Sequence, residues 1–196
     1  DGQILTTTGV AAPDWLPNGW GQGIPAIGMS VAVGNALSTT TGALVTPVNG
    51  TDLPFSIMCT VRPQSALDQV IVGWAGPSDL SVSSLAIHSG IPRYSRTDAA
   101  SNLATLDGSV EIGTVVNRRM AVLFTGTSGE VYVDRTVVAA GACNVGAMTP
   151  DIFKIGSGPL PADGFTGLVA DVAVFSRECT VAEYFAYLNW SMGALG

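Results

Sequence analysis

Charged side chains are scarce in this sequence. They make up 12% of its 196 residues, against roughly 25% in typical soluble domains, and Lys154 is the only lysine. The net charge is −7, whereas a surface that binds a nucleic-acid backbone needs clustered Lys and Arg. We therefore expect no nucleic acid among the partners. The weakly charged exterior fits either a β-protein rich in Ser and Thr or a surface covered by other subunits.

Long apolar runs are also missing, although 47% of the residues are hydrophobic. Gly, Thr, Ser and Ala interrupt the apolar runs well before the roughly 18 residues that a membrane-spanning helix needs. We expect no membrane partner.

The residue types that carry most catalysis and zinc binding are few. His88 is the only histidine, and no Gly-x-Ser-x-Gly segment accompanies it, so a serine triad is not expected. Three cysteines, Cys59, Cys143 and Cys179, are too scattered for a zinc site. Their odd number favours free, buried thiols, with one disulfide as the alternative. No glutamate has an acidic partner two positions away, as a glycosidase pair on one strand would. We expect no enzyme.

Short runs of Val, Ile, Leu, Phe and Thr begin at Met29 and are separated by Gly, Pro, Asn and Asp. Their spacing of roughly 8–12 residues is typical of a β-sandwich. We predict strands at 29–33, 43–48, 55–62, 69–74, 80–88, 109–116, 118–125, 130–134, 136–140, 152–156 and 166–176. Thr180 and Glu183 form a capping box ahead of an apolar stripe, which predicts one short C-terminal helix.

Residues 1–28 differ from the rest. Pro13, Pro17 and Pro25, together with several glycines, oppose both helix and ladder formation. The pattern predicts an irregular N-terminal arm at 1–28 and a sandwich domain at 29–196. Trp15 and Trp20 lie in this arm, and we predict that they dock it, on the parent domain or on a neighbouring subunit.

Several segments follow one another in the order seen in laminin-G-like, concanavalin A-like jelly-roll domains. They are 55–63 (FSIMCTVRP), 119–125 (RMAVLFT), 131–134 (VYVD), 153–157 (FKIGS), 165–177 (FTGLVADVAVFSR) and 180–183 (TVAE). Residues 53–190 resemble this family. The resemblance implies an all-β fold, an antiparallel two-sheet β-sandwich of the jelly-roll type. The chain departs from the family at Arg118-Arg119, where many members carry Trp, and at Arg135, where Gly is commoner.

Sugar sites commonly place an exposed aromatic ring beside a few polar groups. Tyr94 is flanked by Arg93, Arg96 and Asp98 in a segment that the sequence predicts to be a loop. We take these four residues as the candidate ligand-binding cluster, against the simpler interpretation of a solvated loop with an Arg–Asp pair. Trp15, Trp20 and Trp74 are further candidate platforms, although Trp74 fits a core position equally well.

Resemblance to laminin-G-like domains also raises the question of calcium, because members of this family hold it at the sandwich rim. The aspartates in turn-like contexts are Asp79, Asp98, Asp107 and Asp163. Each is explained more simply as a turn residue that caps its own backbone. We therefore predict no cofactor, with calcium as the alternative.

Two functions from different classes follow. The first is a non-catalytic structural and recognition module on a virion surface, a phage capsid decoration protein or tail-fibre domain. Such a module would form a homo-oligomer, contact neighbouring subunits and bind host glycans. The alternative is a secreted, lectin-like carbohydrate-binding module. The first rests on the neutral composition and the aromatic arm, and the second on the family resemblance and the Tyr94 cluster.

Overall fold

A computed structural model describes the chain at residues 6–8, 14–21, 24–29, 36–39, 50–76, 82–157 and 164–195. Within those residues it contains sixteen β-strands and one helix. The strands are β1 Thr6–Thr8, β2 Asp14–Gly21, β3 Ile24–Met29, β4 Ala36–Thr39, β5 Gly50–Thr51, β6 Phe55–Pro63, β7 Gln69–Ala75, β8 Val82–His88, β9 Ile91–Thr97, β10 Leu103–Asp107, β11 Arg118–Phe124, β12 Ser128–Val133, β13 Thr136–Ala142, β14 Ala147–Met148, β15 Ile152–Ile155 and β16 Gly167–Phe175. The helix is α1, Val181–Leu195.

Two seven-stranded antiparallel sheets contain most of these strands. Sheet I has the order β1-β4-β15-β7-β8-β9-β10, and sheet II has the order β13-β12-β11-β6-β16-β3-β2. A two-stranded ribbon of β14 and β5 completes the described strands. The predicted all-β fold, an antiparallel two-sheet β-sandwich of the jelly-roll type with one short C-terminal helix, is confirmed. No helix among the described residues is long and apolar enough to span a bilayer.

The core lies between the two sheets and is built around Phe55. Its ring centroid lies 5.4 Å from that of Phe124 on β11, 5.9 Å from that of Trp74 on β7 and 6.2 Å from that of Tyr94 on β9. All four rings are at most 1% exposed. Because Phe55 and Phe124 belong to sheet II and the other two rings to sheet I, this cluster joins the sheets. The fully buried Trp74 is a core residue rather than a sugar platform.

The C-terminal helix packs on the outer face of sheet II. Thr180 Oγ1 accepts the Glu183 amide at 3.2 Å, and the Thr180 amide donates to the Glu183 carboxylate at 2.8 Å. This reciprocal pair is the predicted capping box. The helix then buries Tyr184 and Leu188 against Met58, Ala121, Leu123 and Tyr132. Sheet II is therefore covered on its outer side by α1.

The N-terminal segment contains more regular structure than its prolines predict. Strand β3 pairs with β16, Ile27 opposite Val169, and β2 pairs with β3. Strand β1 also lies in this segment and pairs with β4. The expectation of an irregular arm is therefore wrong for residues 6–8, 14–21 and 24–28. Proline is tolerated on edge strands, and β2 is the edge of sheet II, where the register shifts between Leu16 and Gly21. Trp15 and Trp20 lie on β2, but their side chains are outside the described part, so their docking role stays a prediction.

The segment 109–116, which the sequence predicts to be a strand, forms an anchored loop. The amides of Ser109, Ile112 and Val115 donate to carbonyls of Val138, Gly90 and Pro63 respectively. Since these acceptors belong to three different parts of the chain, no ladder forms. Four strands that were not predicted, β1, β4, β9 and β10, lie in sheet I. Of the predicted strand at 29–33, only Met29 is described, and it ends β3. The predicted strand at 43–48 lies outside the described residues.

The three cysteines are free, buried thiols. Cys59 is fully buried on β6, where the alternation of Phe55, Ile57 and Cys59 predicts a core position. Desolvation raises the pKa of the Cys59 thiol, and it raises the pKa of Cys143 to about 11. Both thiols therefore remain protonated at neutral pH.

Candidate functional site

The outer face of sheet I presents a row of polar and small side chains. Strand β9 is buried at every second residue, so Arg93 and Ser95 point outward while Tyr94 points into the core. On β8 the outward residues are Ser84, Ala86 and His88, because Leu85 and Ile87 are core residues. Among the described elements, α1 packs on sheet II and leaves this face of sheet I without a covering helix.

A cavity of about 220 Å³ opens on this face. Its lining residues are Asp68, Gln69, Val70, Val82, Ser84, Ala86, His88, Arg93 and Ser95. Ser84 and Ala86 form a floor of small side chains that are 5% and 7% exposed. Larger residues, most of them polar, stand around them, and no Phe, Tyr or Trp is among the described lining residues.

Two ion pairs frame the cavity. Arg93 donates through Nε and Nη2 to both carboxylate oxygens of Asp107, which lies directly opposite it on the neighbouring strand β10. His88 Nδ1 lies 2.8 Å from Asp68 Oδ2, and Asp68 Oδ1 accepts the Ser89 amide at 2.8 Å. Both pairs are partly exposed, and each holds a basic side chain in a fixed position at the rim.

Hydroxyl and amide groups hold the rest of the wall in place. The Ser84 and Ser95 hydroxyls, on adjacent strands, lie 2.9 Å apart. Gln69 donates to the Ser65 carbonyl and accepts the Thr166 amide at 2.9 Å. Since Gln69 is 3% exposed, its amide is a structural bridge, whereas the serine pair is part-buried in the lining of the cavity.

The predicted cluster of Tyr94, Arg93, Arg96 and Asp98 does not come together as one surface. Tyr94 has no exposed area, and its hydroxyl is 3.0 Å from that of Ser83 inside the sandwich. Desolvation raises its pKa. The prediction of Tyr94 as an exposed platform in a loop is wrong, because the segment is a strand and alternation turns Tyr94 and Arg96 inward. Of the four, Arg93 alone lines the cavity.

Arg96 is a buried structural residue. Its side chain is 1% exposed, with Nη1 2.7 Å from Asp52 Oδ1 and the guanidinium carbon 4.2 Å from the centre of the Phe124 ring. Asp52 also accepts the amides of Val145 and Gly146 at 3.2 Å. Arg96 and Asp52 therefore tie the segment around the β14–β5 ribbon to sheet I.

The aspartates considered for calcium have other partners where the structure describes them. Asp98 accepts hydrogen bonds from the Asn102 side chain and from the amides of Asn102 and Ala100. The Asn102 side-chain bond is the main cause that lowers the pKa of Asp98. Asp107 pairs with Arg93, while Asp79 and Asp163 lie outside the described residues. Within the described ranges, no three His, Cys, Asp or Glu side chains are grouped as metal ligands.

Comparison with known proteins supports the fold. No family model matches the sequence, and no curated protein matches it. Among solved structures, domain 4 of an extracellular arabinanase from Geobacillus stearothermophilus, in complex with arabinotriose, has a TM-score of 0.70 at 14% identity, over 91% of this chain and 85% of that one. This likeness shows a shared β-sandwich fold.

Two toxin structures are also similar. The binding domain of Paraclostridial Mosquitocidal Protein 1 has a TM-score of 0.73 at 10% identity, covering 95% of this chain and 48% of that one. A botulinum neurotoxin type C structure, from work on its interaction with two ganglioside molecules, has a TM-score of 0.69 at 13% identity, covering 98% and 47%. The chain therefore spans about half the length of these toxin chains.

The sequence contains a weak signal for the cavity that its motifs do not reveal. Val82, Ser84, Ala86 and His88 alternate with core residues along β8, and Arg93 and Ser95 do the same along β9. His88 ends β8 beside the turn that contains Ser89. Its partner Asp68 precedes the neighbouring strand β7, and only the sheet order brings the two together.

Proposed function

We propose that this chain is a non-catalytic, extracellular glycan-binding module of the laminin-G-like type, and that the cavity on the outer face of sheet I is its site. The observation that carries the proposal is the combination of a small-residue floor with a rim of hydroxyl, guanidinium and imidazole groups. Sugars present many hydroxyl groups that both donate and accept, and such a rim offers partners for both. The fold likeness to domains described as binding arabinotriose or gangliosides supports it.

The chemistry of the cavity also supports binding rather than hydrolysis. A glycosidase requires two carboxyl groups facing one bond, about 5–9.5 Å apart. Among the described residues near this cavity, the carboxylate of Asp68 is held by His88 and Ser89, and that of Asp107 is held by Arg93. Both act here as partners of basic groups. The same side chains serve a binding site without further change.

A glycan array tests the proposal directly. The wild-type chain is expected to bind plant and animal oligosaccharides on the array, and Ala86→Phe, which fills the floor of the cavity, is expected to abolish binding. Ala140→Phe is the matched control, because Ala140 is exposed on β13 of sheet II. Equal binding by both variants, with both folded by circular dichroism, would place the site elsewhere.

A second candidate is the assembly function that the composition predicts, as a phage virion surface component that contacts neighbouring subunits. One observation favours it. The anchored loop at 109–117 exposes Val110, Val115 and Val116 at 45%, 70% and 42%. Apolar side chains on a fixed loop are typical of protein contacts. Trp15 and Trp20 on β2 remain the other candidate docking residues.

Light scattering after size-exclusion chromatography separates the two functions. An assembling subunit is expected to form a trimer or larger ring, and Val115→Ser together with Val116→Ser is expected to reduce it to monomers. A stable monomer that binds glycans would contradict the assembly function. A variant lacking residues 1–28 is a less direct probe, because β2 and β3 are part of sheet II.

A further inference from the structure

Two basic side chains at the rim of the cavity each keep one nitrogen without a hydrogen-bond partner among the described residues. Arg93 donates to Asp107 through Nε and Nη2, which leaves Nη1 without a hydrogen bond among the described residues. His88 uses Nδ1 for Asp68, and its Nε2 likewise has no described partner. Both residues line the same cavity. This inference rests on the proposed glycan-binding function of that cavity.

The strand register brings the two side chains close together. Arg93 lies directly opposite Ala86, and His88 follows two residues later on the same face of β8. Diagonal neighbours of this kind are roughly 7–8 Å apart at their α-carbons, and both side chains are long. A single planar anion between them can therefore accept from both Nη1 of Arg93 and Nε2 of His88.

The charge of the cavity depends on one proton. Arg93 carries +1, and Asp68 and Asp107 carry −1 each, so these groups sum to −1 while His88 is neutral and to zero once it is protonated. Lys154 lies on β15, on the far side of β7 from β8, and does not line the cavity. Histidine side chains change charge between about pH 5 and pH 8, and His88 is the only histidine in the chain.

We infer that His88 and Arg93 together bind the carboxylate of an acidic sugar, and that this binding strengthens as the pH falls from 8 to 5. Protonation converts Nε2 of His88 from an acceptor, which repels a carboxylate, into a donor that binds it. The Asp68 bond fixes which nitrogen changes, because it holds the proton on Nδ1 in both states. A sugar carboxylate stays ionised in this range, since free carboxyl groups lose their proton at about pH 4.

Both ion pairs lie at the surface, where such pairs contribute only about 0–1 kcal/mol to stability. His88→Gln and Arg93→Gln are therefore expected to fold as the wild type does. The residues act on the ligand rather than on the fold, and their variants report on binding alone.

A single-histidine chain allows a direct measurement. The side-chain ¹H–¹⁵N spectrum contains one imidazole, and its signal is followed while sodium glucuronate, or glucose as the neutral control, is added at pH 5.5 and at pH 8.0. We expect a saturable shift with glucuronate at pH 5.5, binding at least about tenfold weaker at pH 8.0, which corresponds to one charge-assisted hydrogen bond, and no such shift with glucose.

Two variants that each remove one positive charge identify the contact. Arg93→Gln is expected to weaken glucuronate binding about tenfold, whereas Lys154→Gln, which changes the net charge equally but lies outside the cavity, is expected to leave it unchanged. In His88→Gln, glucuronate binding, followed through backbone amides of β8 and β9, is expected to lose its dependence on pH.

The results separate this inference from the function on which it rests. Absence of a glucuronate shift at pH 5.5, an equal response to glucose, or equal weakening by Lys154→Gln would overturn the acidic-sugar inference. If array binding of neutral oligosaccharides then still disappears in Ala86→Phe, the proposed function stands without it. Loss of all glycan binding in the wild type overturns both.

Discussion

Tyr184 on the C-terminal helix donates its hydroxyl hydrogen to the carbonyl oxygen of Asp134 at 2.6 Å. Asp134 sits in the turn between β12 and β13 with a φ of 54°. Its carboxylate accepts the Arg119 amide and the Arg118 guanidinium. One aspartate thus joins a hairpin turn, a central strand and the helix that covers sheet II.

Tyr184→Phe removes this hydroxyl and keeps the ring. The ring is fully buried and packs on Tyr132 with centroids 5.0 Å apart, so packing is preserved while the Asp134 carbonyl loses its partner. We expect the free energy of unfolding in urea to fall by about 1–2 kcal/mol, the cost of an unpaired buried group. Tyr184→Ala, which also removes the ring, should cost about 3–5 kcal/mol. A Tyr184→Phe protein as stable as the wild type would show that the bond is not formed in solution.

Substitutions at the adjacent residues Tyr94 and Arg93 on β9 are expected to have opposite effects on stability and on glycan binding. Tyr94→Ala removes a fully buried ring from the core around Phe55 and should lower the free energy of unfolding by about 3–5 kcal/mol. Arg93→Ala removes a partly exposed ion pair and should cost less than about 1 kcal/mol. On a glycan array the order reverses: Arg93→Ala is expected to lose binding, and the milder Tyr94→Phe to retain it. Binding lost in Tyr94→Phe and kept in Arg93→Ala would contradict the cavity as the binding site.

Most of the sandwich can be predicted because its central strands carry strong local patterns. Phe55, Ile57 and Cys59 share one face by the period of two, and the run 55–62 is indeed part of β6. The capping box of Thr180 and Glu183 starts the helix where expected. In these segments local propensity and burial agree, so short-range reasoning is sufficient.

The site was less predictable because it depends on pairing across strands. The run 91–97 contains a proline and two arginines and therefore resembles a loop, yet it is a strand between β8 and β10. Only the register with β8 decides that Tyr94 faces the core and Arg93 the cavity. Pro17 predicts irregular structure for a related reason, although it lies on β2: an edge strand tolerates a proline that a central strand does not.

A half-buried carboxylate beneath the helix, that of Asp171, should give the stability a distinctive dependence on pH. The Tyr187 hydroxyl donates to Asp171 on β16 and lies 3.2 Å from that of Thr60. Desolvation is the main cause that raises the pKa of Asp171 above 3.8. A raised pKa in the folded state means that this group favours folding most below pH 3.8, and that the contribution is lost as the pH rises through the folded-state value.

Asp171→Asn removes that loss. The free energy of unfolding of the variant, minus that of the wild type, is expected to be more positive at pH 7 than at pH 4. Glu183→Gln is the control of opposite sign, because Arg177 and the Thr180 amide lower the pKa of Glu183 to about 2. Its carboxylate favours folding above pH 4.5, and the benefit is lost as the pH falls toward 2. Urea titrations at four pH values give both differences, and parallel curves for the two variants would contradict the assignment of Asp171.

The loop at 109–117 keeps a strained residue at its most exposed point. Val115 has a φ of 56° and is 70% exposed, although a branched side chain disfavours this conformation. Val115→Gly relieves strain of about 1–3 kcal/mol and adds about 0.5–1 kcal/mol of backbone entropy in the unfolded chain. We expect the free energy of unfolding, measured by urea denaturation, to rise by about 1 kcal/mol. Val116→Gly, next to it and outside the left-handed region, should cost about 0.5–1 kcal/mol instead.

If Val115→Gly stabilises the protein and also reduces its oligomer in light scattering, the valine is retained for contact with a partner. A stabilised variant with unchanged assembly would remove that support for the virion function and leave glycan binding as the role of the chain.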